Sequence, residues 1–182
     1  VVPTEGSGHG ALAGFLKARG AEALICGGIG GGARAALAEA GIALYPGVEG
    51  TIRQLQALYA LAIVSDAQTA YALPELNAVG LSGYFDPVIV SGNFGYRKPD
   101  QRLFEAALSE MKLEPEEVVF VGNDLYCDVH GPQQLGIKTV FFKSGETTEP
   151  REHATPDYII YSFPELLDAI RYFEDGDRRR AG

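Results

Sequence analysis

Short apolar runs alternate with helix-periodic stretches along this chain. The runs Ala23–Cys26, Ile42–Leu44, Ala60–Val64, Pro87–Val90, Val118–Val121 and Lys138–Phe142 predict β-strands, with a weaker one at Tyr158–Tyr161. Helices are predicted at Ala11–Arg19, Ala33–Ala40, Gly50–Leu58, Thr69–Val79, Gln101–Glu110, Pro132–Leu135 and Pro164–Glu174. The strands are almost continuously apolar rather than alternating, the pattern of a parallel sheet covered on both faces. The expected fold is a three-layer, doubly wound α/β sandwich: a mostly parallel, Rossmann-like sheet with helices on both faces. Asp100 is placed to cap the helix that follows it. Gly41, Gly80 and Gly136 are placed to close the helices before them. The polar stretch Lys143–Pro156 reads as a loop.

Composition narrows the picture. The chain has 182 residues, which suits one domain or a small domain plus a piece of another, and 46% of them are hydrophobic, ample for a core. A net charge of −9 argues against a nucleic-acid or anionic-membrane surface, and the run Arg178–Arg180 is too short to reverse it. Cys26 and Cys127 follow no metal or redox spacing, so they read as free thiols in a reducing, cytoplasmic setting. No apolar stretch is long enough to span a membrane, and no signal-peptide pattern opens the chain. Glycine is dense before Tyr45–Gly50 and sparse after it, which divides the chain into a glycine-rich α/β segment, 1–50, and a second part, 51–182. The two are expected to build one joint sheet.

The candidate chemistry lies at strand ends. LAIVSD ends an apolar strand on Ser65, with Asp66 after it; GYRKPD sets Lys98 before a helix; VVFVGNDLYCDV sets Asn123, Asp124 and Asp128 just past a buried strand. A hydroxyl, an ammonium and a carboxylate pair at such positions suit a phosphoryl group beside a hard cation. Asn93 flanks the same edge. Against this stands a missing piece: no apolar strand ends in Asp-x-Asp. The single such run, Asp175–Asp177, is expected in a charged tail after the last helix. Gly28–Ala33 has the form of a dinucleotide or anion turn, with Glu49 about 20 residues on. A tight strand–helix turn explains the same glycines. Cys26 and His9 are too few to make a metal-cluster site, and nothing in the sequence marks the Cys26 thiol as an activated nucleophile.

Residues 45–172, from YPGVEGTIRQLQ through LAIVSDAQ and GYRKPDQRLFEAAL to VVFVGNDLYCDV and GIKTVFF, resemble the C-terminal two thirds of the haloacid dehalogenase superfamily core. The resemblance implies that Ser65 hydrogen-bonds a transferring phosphoryl group and that Lys98 neutralises its charge, making both catalytic, with Asp66 beside them as a phosphate-binding position. It implies Mg²⁺ held by the acidic cluster Asn123, Asp124 and Asp128, leaving open which two oxygens reach the ion. The family's first motif, an Asp nucleophile followed two residues on by an Asp acid/base, has no counterpart. Residues 8–50, around ALICGGIGGGARAALAEAGI, resemble part of the dinitrogenase iron–molybdenum cofactor biosynthesis family, so the chain looks like a chimera. The implied function is a phosphohydrolase scaffold impaired by the absent nucleophile. Its partner would be a small phosphorylated molecule, with Mg²⁺ bound weakly or no cofactor at all. The alternative is a non-catalytic fused module. A homo-oligomer is compatible with either. A core of this class without its first strand would expose the edges of Ala60–Val64 and Val118–Val121, and Ala23–Cys26 is expected to pair in parallel beside them.

Overall fold

Every strand pairing in the computed structural model, which describes Ala23–Leu24, Ala43–Leu44 and residues 46–78, 80–143 and 154–181, is parallel. The strands are β1 (Ala23–Leu24), β2 (Ala43–Leu44), β3 (Ile63–Ser65), β4 (Val88–Val90), β5 (Val119–Gly122), β6 (Lys138–Phe142) and β7 (Tyr158–Ile160). The helices between them are α1 (Val48–Gln56), α2 (Thr69–Ala78), α3 (Ser91–Phe94), α4 (Gln101–Met111), α5 (Gly131–Gln133) and α6 (Leu166–Ala181). Helices cover both faces, giving the parallel α/β, Rossmann-like arrangement that the apolar runs predict.

Helix positions follow from burial. In α1 the inward residues Val48, Thr51, Ile52 and Leu55 recur at helical spacing. Leu55 joins Val140, Phe142, Ile160, Leu166 and Ala169 in one core cluster, with Leu61, Val119 and Val121 packed against it. On α4, Leu103 and Ala107 pack with Ile89 of β4. Asp100 caps α4 as expected, its carboxylate accepting the Arg102 N–H at 3.1 Å. Gly80 and Gly136 adopt left-handed backbone at φ 74° and 86°, each followed by an N–H that reaches back five residues, from Leu81 to Leu76 and from Ile137 to Pro132. Gly41 lies outside the described residues, as do the helices expected at Ala11–Arg19 and Ala33–Ala40.

One expectation is corrected. Asp175–Asp177 does not sit in a tail beyond the last helix: α6 runs on through it to Ala181. Its amphipathic first half is anchored in the core through Leu166 and Ala169, and propagating an established helix adds a hydrogen bond per residue without a new nucleation cost.

The ladders are β1–β2, β3–β4 and β5–β6–β7. Among the described residues β3 pairs with β4 and β5 with β6, and the run expected beside them, Ala23–Cys26, is described only at Ala23–Leu24. Thr139–Phe142 of β6 is buried throughout, whereas every residue of β3 and β5 is half-exposed. The described part of the Ala23–Cys26 run pairs with β2, and among the described residues the expected hydrogen bonds to β3 and β5 are absent. No described helix is long and apolar enough to cross a membrane.

Candidate active site

The carboxyl ends of β3 and β5 and the start of α4 meet around Lys98. Ser65 closes β3, and its hydroxyl accepts the Ala67 N–H at 3.2 Å. Asp66 turns toward the neighbouring loop, where its carboxylate accepts the Lys98 backbone N–H at 2.8 Å. Asn93 lies on the same side, accepting the Thr69 hydroxyl at 2.7 Å. Past β5 the chain enters a π-helical turn, Leu125–His130, where the apolar pattern predicts no element. Asp124 caps that turn, its Oδ1 accepting the N–H groups of Tyr126 and Cys127 at 2.9 and 2.8 Å.

Asp128 is the centre of the network. Its Oδ1 accepts the Lys98 ammonium at 2.6 Å. Its Oδ2 accepts the backbone N–H groups of Asn123 and Asp124, both at 3.0 Å. The side chains of Lys98 and Asp128 are 13% and 6% exposed, so this is a shielded, charge-assisted pair. Two glycines allow the approach. A Cβ on Gly122 would lie 2.3 Å from the Asp128 Cβ, and one on Gly131 would lie 2.9 Å from the Pro99 Cβ. The ammonium also lies 5.7 Å from the centre of the Phe120 ring, which packs edge-on against Phe104 of α4.

The structure thus joins Asp66, Lys98, Asn123, Asp124 and Asp128 into one connected set. Ser65 stands at the same edge, but the contact to the lysine segment comes from Asp66. Phe120, Gly122 and Cys127 belong to the site and were missed from sequence. Strand alternation was the available signal, since it puts Phe120 and Gly122 on one face of β5. Cys127 donates its S–H to the Lys98 carbonyl at 3.5 Å. Burial pushes its thiol up to about 11, Asp124 and Asp128 add to the shift, and Lys98 opposes it. The thiol is therefore protonated at neutral pH and a poor nucleophile. Glu49 sits in the first turn of α1 and pairs with Arg53 at 2.6 Å, an ordinary surface i,i+4 contact. His9, Cys26 and Gly28–Ala33 lie outside the described residues.

Residues 33–142 match the haloacid dehalogenase-like hydrolase family. The chain belongs to that family. Residues 1–61 also match the dinitrogenase iron-molybdenum cofactor family, overlapping the first match. The chain is 31% identical over 138 residues to a glyceraldehyde 3-phosphate phosphatase of Pyrococcus furiosus, covering 73% of this chain and 57% of that protein. It is 34% identical over 125 residues to a phosphoserine phosphatase of Thermus thermophilus, covering 68% of this chain and 50% of that one. A solved haloacid dehalogenase-type phosphatase from Thermococcus onnurineus superposes with a TM-score of 0.63 at 30% identity, over 69% of this chain and 57% of that one. The chain spans about half the length of the curated relatives it matches.

Haloacid dehalogenase-like phosphatases are generally Mg²⁺-dependent, and that ion needs several free oxygen donors. The donor set does not fit as arranged. Both Asp128 oxygens are engaged, one by an ammonium and one by two N–H groups. One Asp124 oxygen is committed to capping. The space left by the absent Cβ of Gly122 is filled by Asp128 itself. No group of three or more His, Cys, Asp or Glu side chains among the described residues is arranged to hold an ion.

Proposed function

We propose that this chain is a phosphohydrolase scaffold of the haloacid dehalogenase class that gathers the charge-handling half of a phosphotransfer site and performs no turnover of its own. The observation that carries the reading is the Lys98–Asp128 pair at 2.6 Å, the charge-stabilising lysine held ready at the strand ends of a sequence in which no apolar strand run ends in Asp-x-Asp. Ser65 and Lys98 orient and neutralise a phosphoryl group but cannot attack it. Covalent catalysis in such a site needs a carboxylate that attacks phosphorus. Binding of a small phosphorylated molecule is weak, because the Lys98 ammonium is already paired with the Asp128 carboxylate.

Hydrolysis of p-nitrophenyl phosphate, with and without added Mg²⁺, tests this. The expected rate is at or near that of buffer. Losing the nucleophile leaves only the residual acceleration from binding and electrostatics. Hydrolysis well above buffer that disappears in Cys26→Ser would assign attack to that thiol. Hydrolysis that survives Cys26→Ser and disappears in Lys98→Ala would assign it to a carboxylate from elsewhere, including a second copy. Either result overturns the proposal.

The match of residues 1–61 supports a second reading, a fused module with a cofactor-carrier-like segment and no enzymatic role. Reconstitution with iron and sulfide, followed by visible absorption, separates the two. A stable protein-bound chromophore favours the carrier reading.

A further inference from the structure

We propose that the Lys98 ammonium is the resident cation of this site, and that its pairing with Asp128 excludes divalent metal ions from the Asp124–Asp128 turn. The proposal goes beyond the phosphohydrolase reading and does not depend on phosphate binding.

The lysine is fixed from several directions. Its backbone N–H is held by Asp66 at 2.8 Å, its carbonyl accepts the Cys127 S–H at 3.5 Å, and its ammonium lies 5.7 Å from the centre of the Phe120 ring. Its Nζ reaches Asp128 Oδ1 at 2.6 Å between side chains that are 13% and 6% exposed. An ion coordinated to that oxygen at the usual ~2.1 Å would lie no more than about 5 Å from Nζ. Two positive charges would then compete for one carboxylate in a poorly screened place. The other oxygen offers no better entry, because the N–H groups of Asn123 and Asp124 point at it from 3.0 Å. Asp128 fills the hollow at Gly122, leaving no room on the strand side. The Asp128 carboxylate is thus satisfied by one ammonium and two amides, and a metal at its Oδ1 must displace the lysine.

Removing the charge while keeping the turn should therefore create a cation site. Calorimetric titration with Mn²⁺ alone, on the whole chain, tests this without reference to activity. Wild type is expected to show no saturable site at millimolar Mn²⁺, the weak end of protein divalent sites. Lys98→Met is expected to bind one Mn²⁺ at least ~10-fold more tightly than wild type, and its melting temperature to rise with added Mn²⁺. The double variant Lys98→Met/Asp128→Asn should lose both effects, and Lys98→Arg should behave as wild type. If Lys98→Met does not fold, Lys98→Gln keeps a hydrogen-bond donor for Asp128 and removes the charge. The proposal is overturned if wild type binds one Mn²⁺ that Asp128→Asn abolishes. It is equally overturned if the folded neutral variant binds Mn²⁺ no better than wild type.

Discussion

Two aspartates in this molecule are held by the same kinds of partner and end in different roles. Asp128, beyond β5, takes the Lys98 ammonium at 2.6 Å and two backbone N–H groups at 3.0 Å. Asp157, just before β7, takes the Lys138 ammonium at 3.0 Å, the Thr139 N–H at 2.9 Å and the Thr139 hydroxyl at 3.1 Å. The first pair is 13% and 6% exposed; the second is 46% and 24% exposed. Asp157 staples the amino ends of β6 and β7, where water replaces any lost partner. Asp128 sits at the carboxyl end of β5, where open α/β sheets place their ligands and a lost partner leaves a bare charge. The same bonding set is a surface clamp in one place and an enclosed electrostatic centre in the other. Solvent access decides which.

The largest break in this comparison should come from the lysines. Lys98→Met is expected to cost about 3–5 kcal/mol, since it leaves Asp128 enclosed and uncompensated. Lys138→Met should cost under about 1 kcal/mol, the range for exposed pairs. Urea unfolding of both variants measures the contrast, and equal losses would erase it.

Next come the glycines. Gly122→Ala drives a methyl group to 2.3 Å from the Asp128 Cβ and should cost about 1–3 kcal/mol by overpacking. Gly50→Ala, in α1 with nothing within 4 Å, should instead stabilise by up to about 1 kcal/mol. Opposite signs in thermal melts are the expected result.

Acid sharpens the Asp157 side. Burial raises its carboxyl, but the Thr139 N–H, Lys138 and the Thr139 hydroxyl together hold it below its ordinary value of 3.8. A carboxyl lowered by folding adds stability that is complete above the unfolded value and lost as pH falls through the folded one. Asp157→Asn should therefore lower the neutral melting temperature slightly and flatten its fall below about pH 4 by the same small amount, the two proteins converging in acid. A wild-type acid limb in that variant would show that Asp157 carries no linkage.

The smallest effect is kinetic. With the Cys127 thiol near 11, only about one part in a thousand is thiolate at pH 8. Peptide mass mapping after iodoacetamide treatment should find Cys127 modified far more slowly than a free thiol. Rapid labelling would mean that the pocket is more open than its contacts imply.

Much of this was legible in the chain. Continuous apolar runs announced a parallel α/β sheet because strands covered on both faces have no polar side to show. Asp100, Gly80 and Gly136 declared helix ends because capping and left-handed backbone are local demands. Ser65, Asp66, Lys98, Asn123, Asp124 and Asp128 stood out because each follows a strand or opens a helix. The π-helical turn at Leu125–His130 was not legible, since a single wide turn has no period to detect. The extension of α6 to Ala181 was not legible either, because a charged segment reads as tail until an anchored helix carries it onward.

What the sequence determined by itself is therefore local and additive: strand and helix identity, the caps, the family, and the lack of an Asp-x-Asp run on any apolar strand. What only the tertiary structure decided is pairing. That Asp128 spends one oxygen on Lys98, 30 residues upstream, and the other on the β5 turn depends on Gly122 and Gly131 letting two loops close to contact distance. That β3 pairs with β4 and β5 with β6 depends on which strands reach them. Both outcomes rest on distances between segments remote in the chain, and residue spacing carries no record of those distances.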